Sequence, residues 1–227
     1  MKIIILAAGI GSRLGNPFPK PLTPLKSGDT IMKQQINNLS SYFNFDDINI
    51  VVGFKKDLIM ENVPDATYVY NPVFDQTNTS KSLLKALKKY HSESVLWLNG
   101  DVVFDKQVFD VLTPYINKNE SFVSVNNEEV GDEEVKYTLD TDGYIKDISK
   151  TVKNGLGEAV GINFISSKDI SFFIKRLEEC DNNDYFERGI EIAIKKDEIK
   201  VNAVDISKFN CVEVDFIEDL ENANKLF

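Results

Sequence analysis

Cysteine and histidine are scarce in this 227-residue chain, which has two cysteines, Cys180 and Cys211, and one histidine, His91. The cysteines lie far apart and lack a C-x-x-C spacing. They predict reduced, structural thiols in a cytoplasmic protein rather than a disulfide frame. A single histidine excludes multi-histidine metal sites and argues against a histidine-based triad. Set among Lys89, Tyr90 and Ser92, it reads as a polar helix end. Positive charge is also in deficit, with 26 Lys and Arg against 36 Asp and Glu and a net charge of −10. Such a surface repels phosphate backbones, so a nucleic-acid platform is not expected. No apolar run approaches the roughly 20 residues of a membrane span, so no membrane role is expected. The opening MKIIILAAG resembles a short signal peptide. Its apolar run stops at Gly9, however, and Gly11, Ser12 and Arg13 follow, which is the pattern of a buried strand. With no Pro/Gly/Ser linker, repeat or low-complexity tract, residues 1–227 are expected to form a single domain, large enough to fold without disulfides or metal.

Strand-like and helix-like runs alternate through the first half. Residues 2–6, 49–52, 67–70 and 95–99 have the pattern of buried strands; 31–42, 55–62 and 80–89 have helical spacing, with Ile31, Gln35, Ile36 and Leu39 on one side of the first helix. This alternation predicts an α/β fold with a mostly parallel sheet and right-handed crossovers. The second half changes character. Short strands are expected at 122–125, 135–139 and 144–148, the last two joined through Asp140-Thr141-Asp142-Gly143, a hairpin signal. A buried strand at 159–165, helices at 169–179 and 186–194, late strands at 201–204 and 212–214, and a closing helix at 217–226 complete a Rossmann-like mixed sheet with a hairpin insertion. Ligands of such sheets bind at the carboxyl ends of the strands.

The strongest motif follows the first strand: Leu6-Ala7-Ala8-Gly9-Ile10-Gly11-Ser12-Arg13-Leu14, continuing to Pro19-Lys20-Pro21-Leu22. Small residues there let backbone N–H groups approach phosphates closely, and Arg13 and Lys20 add permanent charge. The spacing fits neither a Walker loop nor G-x-G-x-x-G. Taken whole, the string resembles the signature of nucleotidyltransferases that couple an NTP to a phosphorylated acceptor and release pyrophosphate, the sugar-phosphate and phosphocholine cytidylyltransferase type. The resemblance implies a GT-A-like nucleotidyltransferase fold and Mg²⁺ as cofactor. It also implies nucleotide-binding roles for Leu6, Ala7, Ala8, Gly9, Gly11, Ser12, Arg13 and Lys20.

Three further segments carry the likeness. Asn99-Gly100-Asp101 ends the fourth expected strand. The family uses this Asp as a metal ligand, although Asn-Gly-Asp is also common turn chemistry. Val212-Glu213-Val214-Asp215 resembles the late strand that supplies the second metal carboxylate; Asp215 would also suit an N-cap. Glu218 and Asp219 read as first-turn acids complementing the helix dipole. Residues 71–83 resemble the Asn-rich segment of cytidylyltransferases, which points Asn78, Thr79 and Ser80 toward a cytosine, with helix capping as the alternative. Gly100 joins the nucleotide-binding set.

For the acceptor, the resemblance points to Lys150, Glu158 and Arg188. Lys150 equally suits a solvated surface, and Arg188 equally suits an intrahelical pair with Glu187 or Glu191. An arginine would favour a carboxylate-bearing acceptor over a quaternary ammonium. Within the family, the resemblance implies CMP transfer from CTP to L-glutamine phosphate, giving CDP-L-glutamine and pyrophosphate, as in capsule phosphoramidate biosynthesis. Phosphocholine or a sugar 1-phosphate is the alternative acceptor, and a non-catalytic nucleotide-binding domain the alternative class. The expected catalytic set is Arg13, Lys20, Asp101 and Asp215. The acidic run 126–134 reads as a solvated loop.

Overall fold

A computed structural model describes residues 1–128, 130–131 and 134–227 of the chain. Three of the acids in the expected solvated loop, Glu129, Asp132 and Glu133, lie outside the described residues; Glu128 and Glu134 are exposed.

The first half alternates as its pattern predicts: β1 (Lys2–Ala7), α1 (Ile31–Ser40), β2 (Ile48–Val52), α2 (Lys56–Asn62), β3 (Thr67–Tyr70), α3 (Thr79–Leu87) and β4 (Val95–Asn99). β1 pairs in parallel with β2 on one side and β4 on the other, and β2 pairs in parallel with β3. The chain therefore steps outward from β1 to β3 and then returns to lay β4 on the opposite flank. That reversal opens a crevice between the carboxyl ends of β1 and β4, where Leu6 is in register with Asn99.

β5 (Val102–Phe104), α4 (Val108–Lys118), β6 (Phe122–Asn126), β7 (Lys136–Leu139), β8 (Ile145–Ser149) and β9 (Glu158–Ile165) follow. Last come α5 (Ile170–Glu179), α6 (Phe186–Asp197), β10 (Asn202–Asp205), β11 (Cys211–Glu213) and α7 (Ile217–Leu226). β9 runs antiparallel between β4 and β6, and β10 pairs in parallel with β6. The expected hairpin forms from β7 and β8: Asp140 accepts from the Asp142 and Tyr144 amides, and Gly143 takes a left-handed φ of 88°. Among the described residues the sheet order is β10-β6-β9-β4-β1-β2-β3. The mixed, mostly parallel sheet with a hairpin insertion is the fold that the pattern predicts.

The sheet is apolar on both faces because β1, β2 and β4 are covered from both sides. Ile4, Leu6, Val51 and Trp97 pack under α3, α5 and α6. Ile3, Ile5, Leu96 and Leu98 pack against α1 and α4. Trp97 stacks on Phe173 at 5.4 Å and meets Phe186 edge-on at 5.5 Å. Arg176 reaches across from α5 to Asp197 of α6 at 2.7 Å and ties the two helices together.

Two elements have no counterpart in the sequence expectations. α4 carries Pro114 in its interior, which breaks its helical pattern. β5 is three residues long and pairs antiparallel with β11, outside the main sheet. This small ribbon positions the site.

Candidate active site

The carboxyl ends of β1 and β4 open into a cleft of about 570 Å³. Its floor is the loop after β1. Gly100 donates its N–H to the Leu6 carbonyl at 2.9 Å, and any Cβ at Gly100 would sit 2.5 Å from that oxygen. Only glycine permits this approach of the two strand ends. Gly11 has φ of 64°, and a Cβ there would meet the Lys20 Cβ at 2.9 Å. The turn is thus folded onto Lys20. A Cβ at Gly9 would meet nothing within 4 Å, so the loop is open above this residue.

β11 carries the second acid to the first. Glu213 is in register with Val102, and the Val214 N–H donates to the Asp101 carbonyl at 3.0 Å. Asp215, one residue further on, lies beside Asp101. It is not an N-cap of α7, whose cap position is Phe216. Asp219 accepts from the backbone N–H groups of Asp215 and Phe216 and fixes the bend instead. The β4–β5 turn bearing Asp101 is held from below by Gln35 of α1, which donates to the Asn99 and Val102 carbonyls at 2.8 Å each.

The Lys20 ammonium bridges the two aspartates, at 2.8 Å from Asp101 Oδ2 and 2.5 Å from Asp215 Oδ1. Burial lowers the Lys20 pKa, but the Asp101 and Asp215 carboxylates outweigh it and raise the pKa above the ordinary lysine value. Arg13 donates to Asp215 Oδ2 at 2.9 Å and lies over the Phe216 ring at 5.5 Å. Glu213 completes the acidic wall and accepts from Asn99. Burial above all, and then the charges of Asp101 and Asp215, hold its carboxyl well above the ordinary range.

Leu6, Ala7, Gly9, Gly11, Ser12, Arg13, Lys20, Asn78, Thr79, Gly100, Asp101, Lys150 and Asp215 all line the cleft, as the motifs predict. Four predicted residues are not among its lining. Ala8 and Ser80 are buried beneath it. Glu158, at the start of β9, accepts from the Gly131 N–H. Arg188 points away on α6 and pairs with Glu191 at 2.5 Å. Asn78 and Thr79 are engaged in tethering: the Asn78 amide nitrogen donates to the Asn183 carbonyl and Thr79 Oγ1 accepts from the Phe186 N–H. They fasten the approach to α6 onto the start of α3.

Among the lining residues that the motifs do not single out is Glu213; Tyr185 and Glu187 belong to the segment Tyr185-Phe186-Glu187-Arg188, which the resemblance places near the acceptor and which equally suits a plain helix start, and within it Arg188 is the residue singled out. Glu213 sits in the Val-Glu-Val-Asp string, two residues before the motif aspartate, where alternation faces it to the same side as Asp215. Gln35 was visible as a polar residue on the apolar side of α1.

A family model of the MobA-like NTP transferase domain matches residues 3–165. The chain belongs to that family. The match runs from β1 through β9, so Asp101 lies within it and Asp215 and Glu187 lie beyond it. The chain is 33% identical over 121 residues to a CMP-5'-(3-aminopropyl)phosphonate synthase of Streptomyces rubellomurinus, covering 49% of this chain and 19% of that protein. It spans less than half the length of the curated relatives that it matches. The solved CTP:phosphocholine cytidylyltransferase from Streptococcus pneumoniae has the same fold, with a TM-score of 0.79 and 22% identity over 99% of this chain and 97% of that one. So does the inositol-1-phosphate CTP transferase from T. maritima, with a TM-score of 0.74 and 16% identity over 99% and 95%. Among the described residues no helix is long and apolar enough to cross a membrane.

Proposed function

We propose that this member of the NTP transferase family moves CMP from CTP to a small phosphorylated acceptor and releases pyrophosphate. The observation that carries the reading is the Lys20 ammonium held between Asp101 and Asp215, beside the open loop at Gly9. CTP is favoured over other nucleotides because the Streptomyces relative is named for a CMP-bearing product and two whole-chain structural neighbours are named for CTP.

The donor set fits Mg²⁺. Asp101 Oδ1 is buried without a hydrogen-bond partner and lies beside the carboxylate of Asp215. Among the described residues no group of three or more His, Cys, Asp or Glu is placed to hold a metal unaided. That agrees with Mg²⁺, which takes one or two carboxylates and fills its shell with water and substrate phosphate. Asp101 and Asp215 would hold it, and when bound it supplies charge neutralisation at the α-phosphate.

The remaining chemistry is positioning and electrostatics. An acceptor phosphate oxygen attacks the α-phosphorus in line with departing pyrophosphate. The nucleophile is already an anion, so it needs no general base. Lys20 and Arg13 exchange their aspartate partners for triphosphate oxygens and stabilise the charge that gathers on the leaving group. Lys150, exposed on the cleft wall, is the proposed partner of the acceptor's anionic end.

L-Glutamine phosphate remains the proposed acceptor, on a different argument from the one Arg188 offered. Arg188 is turned to Glu191, so Lys150 is the cation available in the cleft for a carboxylate or phosphate. A pyrophosphate-release assay offering each NTP with a panel of small phosphorylated acceptors tests the reading. Release should occur with CTP and require an acceptor; release with every nucleotide alike, or with none, overturns it.

A further inference from the structure

Two glutamates on α6 are equally buried, each 8% exposed, yet their surroundings are opposite. Glu191 is met by Arg188 and Lys195, at 2.5 and 2.7 Å. Glu187, one turn earlier, lines the cleft, and its Oε2 is buried with no hydrogen-bond partner. Burying a carboxylate without a partner costs stability, so such a group is expected where a ligand completes it. We propose that Glu187 is the specificity residue of the acceptor subsite and receives a primary ammonium group carried by the phosphorylated acceptor. The inference rests on the CMP-transfer reading of the cleft.

The groups that face Glu187 define what fits. Lys150, from the connection between β8 and β9, is near enough that its charge eases the Glu187 carboxylate. Glu213, from β11, is near enough to feel the Glu187 charge, and it feels Asp101 and Asp215 as well. The cleft is therefore acidic from Asp101 to Glu187, with Lys150 beside its Glu187 end. An acceptor laid along it would place its phosphate toward the nucleotide and its cation at Glu187. Burial pushes the Glu187 carboxyl up to about 7, although its own backbone N–H and Lys150 pull the other way; a bound ammonium would draw it into the charged form.

The ammonium should be primary. It brings three N–H donors to an acceptor-only carboxylate, whereas a quaternary ammonium brings none and is held by aromatic faces instead. The aromatic residues at this end of the cleft do not form a cage. The Tyr185 ring already faces the Lys150 ammonium at 5.1 Å, and Phe186 is buried edge-on against Trp97. Small phosphates and phosphonates ending in a primary amine share this chemistry, and the amino-acid end of L-glutamine phosphate belongs with them.

The test compares phosphoethanolamine, phosphocholine and propyl phosphate as acceptors with CTP, in the unmodified protein and in Glu187→Gln. A charge-assisted hydrogen bond of this kind should favour phosphoethanolamine by about tenfold or more in kcat/KM, read mainly in KM. Glu187→Gln should shrink the preference to about threefold or less and leave the KM for CTP unchanged, as expected of a specificity contact. The preference for phosphoethanolamine over phosphocholine should also fall as pH drops below about 7, where Glu187 protonates; both probes carry a cationic nitrogen two carbons from the phosphate, so their phosphates titrate similarly and largely cancel in that ratio. A residue that merely supports the fold would not produce a preference that titrates. Equal or better use of phosphocholine, or an unchanged preference in Glu187→Gln, overturns the inference. If no probe yields pyrophosphate, the transfer reading fails on its own account. Calorimetric binding of the same three probes then decides the subsite, and must show the same order.

Discussion

Neutralising Glu187 should make the folded protein less sensitive to alkaline pH. Its carboxyl titrates at about 7 in the folded chain against an ordinary 4.5, chiefly because of burial. A carboxyl with a raised folded pKa holds its proton more tightly in the folded state, so stability is lost as pH rises from the unfolded value through the folded one. With these two values the charge costs roughly 1–2 kcal/mol at about pH 5.5 and roughly 3–4 kcal/mol at about pH 8.5. Glu187→Gln removes that slope. The new amide adds its own cost for any unpaired N–H, but that cost does not depend on pH and cancels between the two conditions. Glu213 is held up in part by the Glu187 charge, so its response adds to the gain. Relative to the unmodified protein, the variant should therefore gain ~2 kcal/mol between about pH 5.5 and about pH 8.5. Urea unfolding at the two pH values measures it, as a change in midpoint at constant slope. The lower pH stays clear of the isoelectric point near 4.7, where solubility would interfere. Parallel stability curves for the two proteins would show that Glu187 is not a buried, unpaired carboxylate, and the argument for its role would go with it.

Asp101→Asn and Asp215→Asn should each keep the fold and reduce turnover by about a hundredfold or more, the scale of losing a key electrostatic stabiliser; near-normal turnover in both at limiting Mg²⁺ would refute their metal role. Lys20→Ala should lower kcat with little change in CTP affinity, because charge moves onto the departing pyrophosphate; lost affinity with unchanged kcat would contradict that. Gln35→Met leaves the Asn99 and Val102 carbonyls without their buried donor. It should cost roughly 2–4 kcal/mol by denaturant unfolding and lower kcat through Asp101, and a cost under about 0.5 kcal/mol would refute its positioning role.

The first half of the fold was legible because each element there carries its own pattern. β1, β2 and β4 are continuous apolar runs, and α1 and α3 keep helical spacing, so periodicity places them to within a residue or two. The ribbon of β5 and β11 was not legible as a pair. Val102–Phe104 is too short to have a period, and its partner lies more than a hundred residues away. The loop proposed to bind phosphate was recognisable for a related reason: Leu6 to Lys20 is one contiguous string whose spacing is set by backbone approach. Arg188 misled because a cation on a helix is as easily paired within the helix as offered to a ligand, and Glu191 lies three residues on. Within the segment 185–188 the sequence favours Arg188 over Glu187, because what distinguishes Glu187 is burial and the nearness of Lys150 and Glu213, which the chain supplies from distant elements.

The cleft's charges also explain how an acidic protein can take a polyanion. Arg13 and Lys20 are both bound to carboxylates of the site itself. The proposed phosphate-binding cations are thus kept in place at little electrostatic cost while the site is empty, and the aspartates are kept from repelling each other. Were the two cations to turn to a triphosphate, Asp101 and Asp215 would be left as uncompensated acids that could hold Mg²⁺, whose charge would replace that of the cations. Glu187 stands outside that exchange because no cation of the chain is paired with it among the described residues. Its compensation has to arrive with the second substrate, which separates the determinant of the acceptor from the machinery that handles the nucleotide.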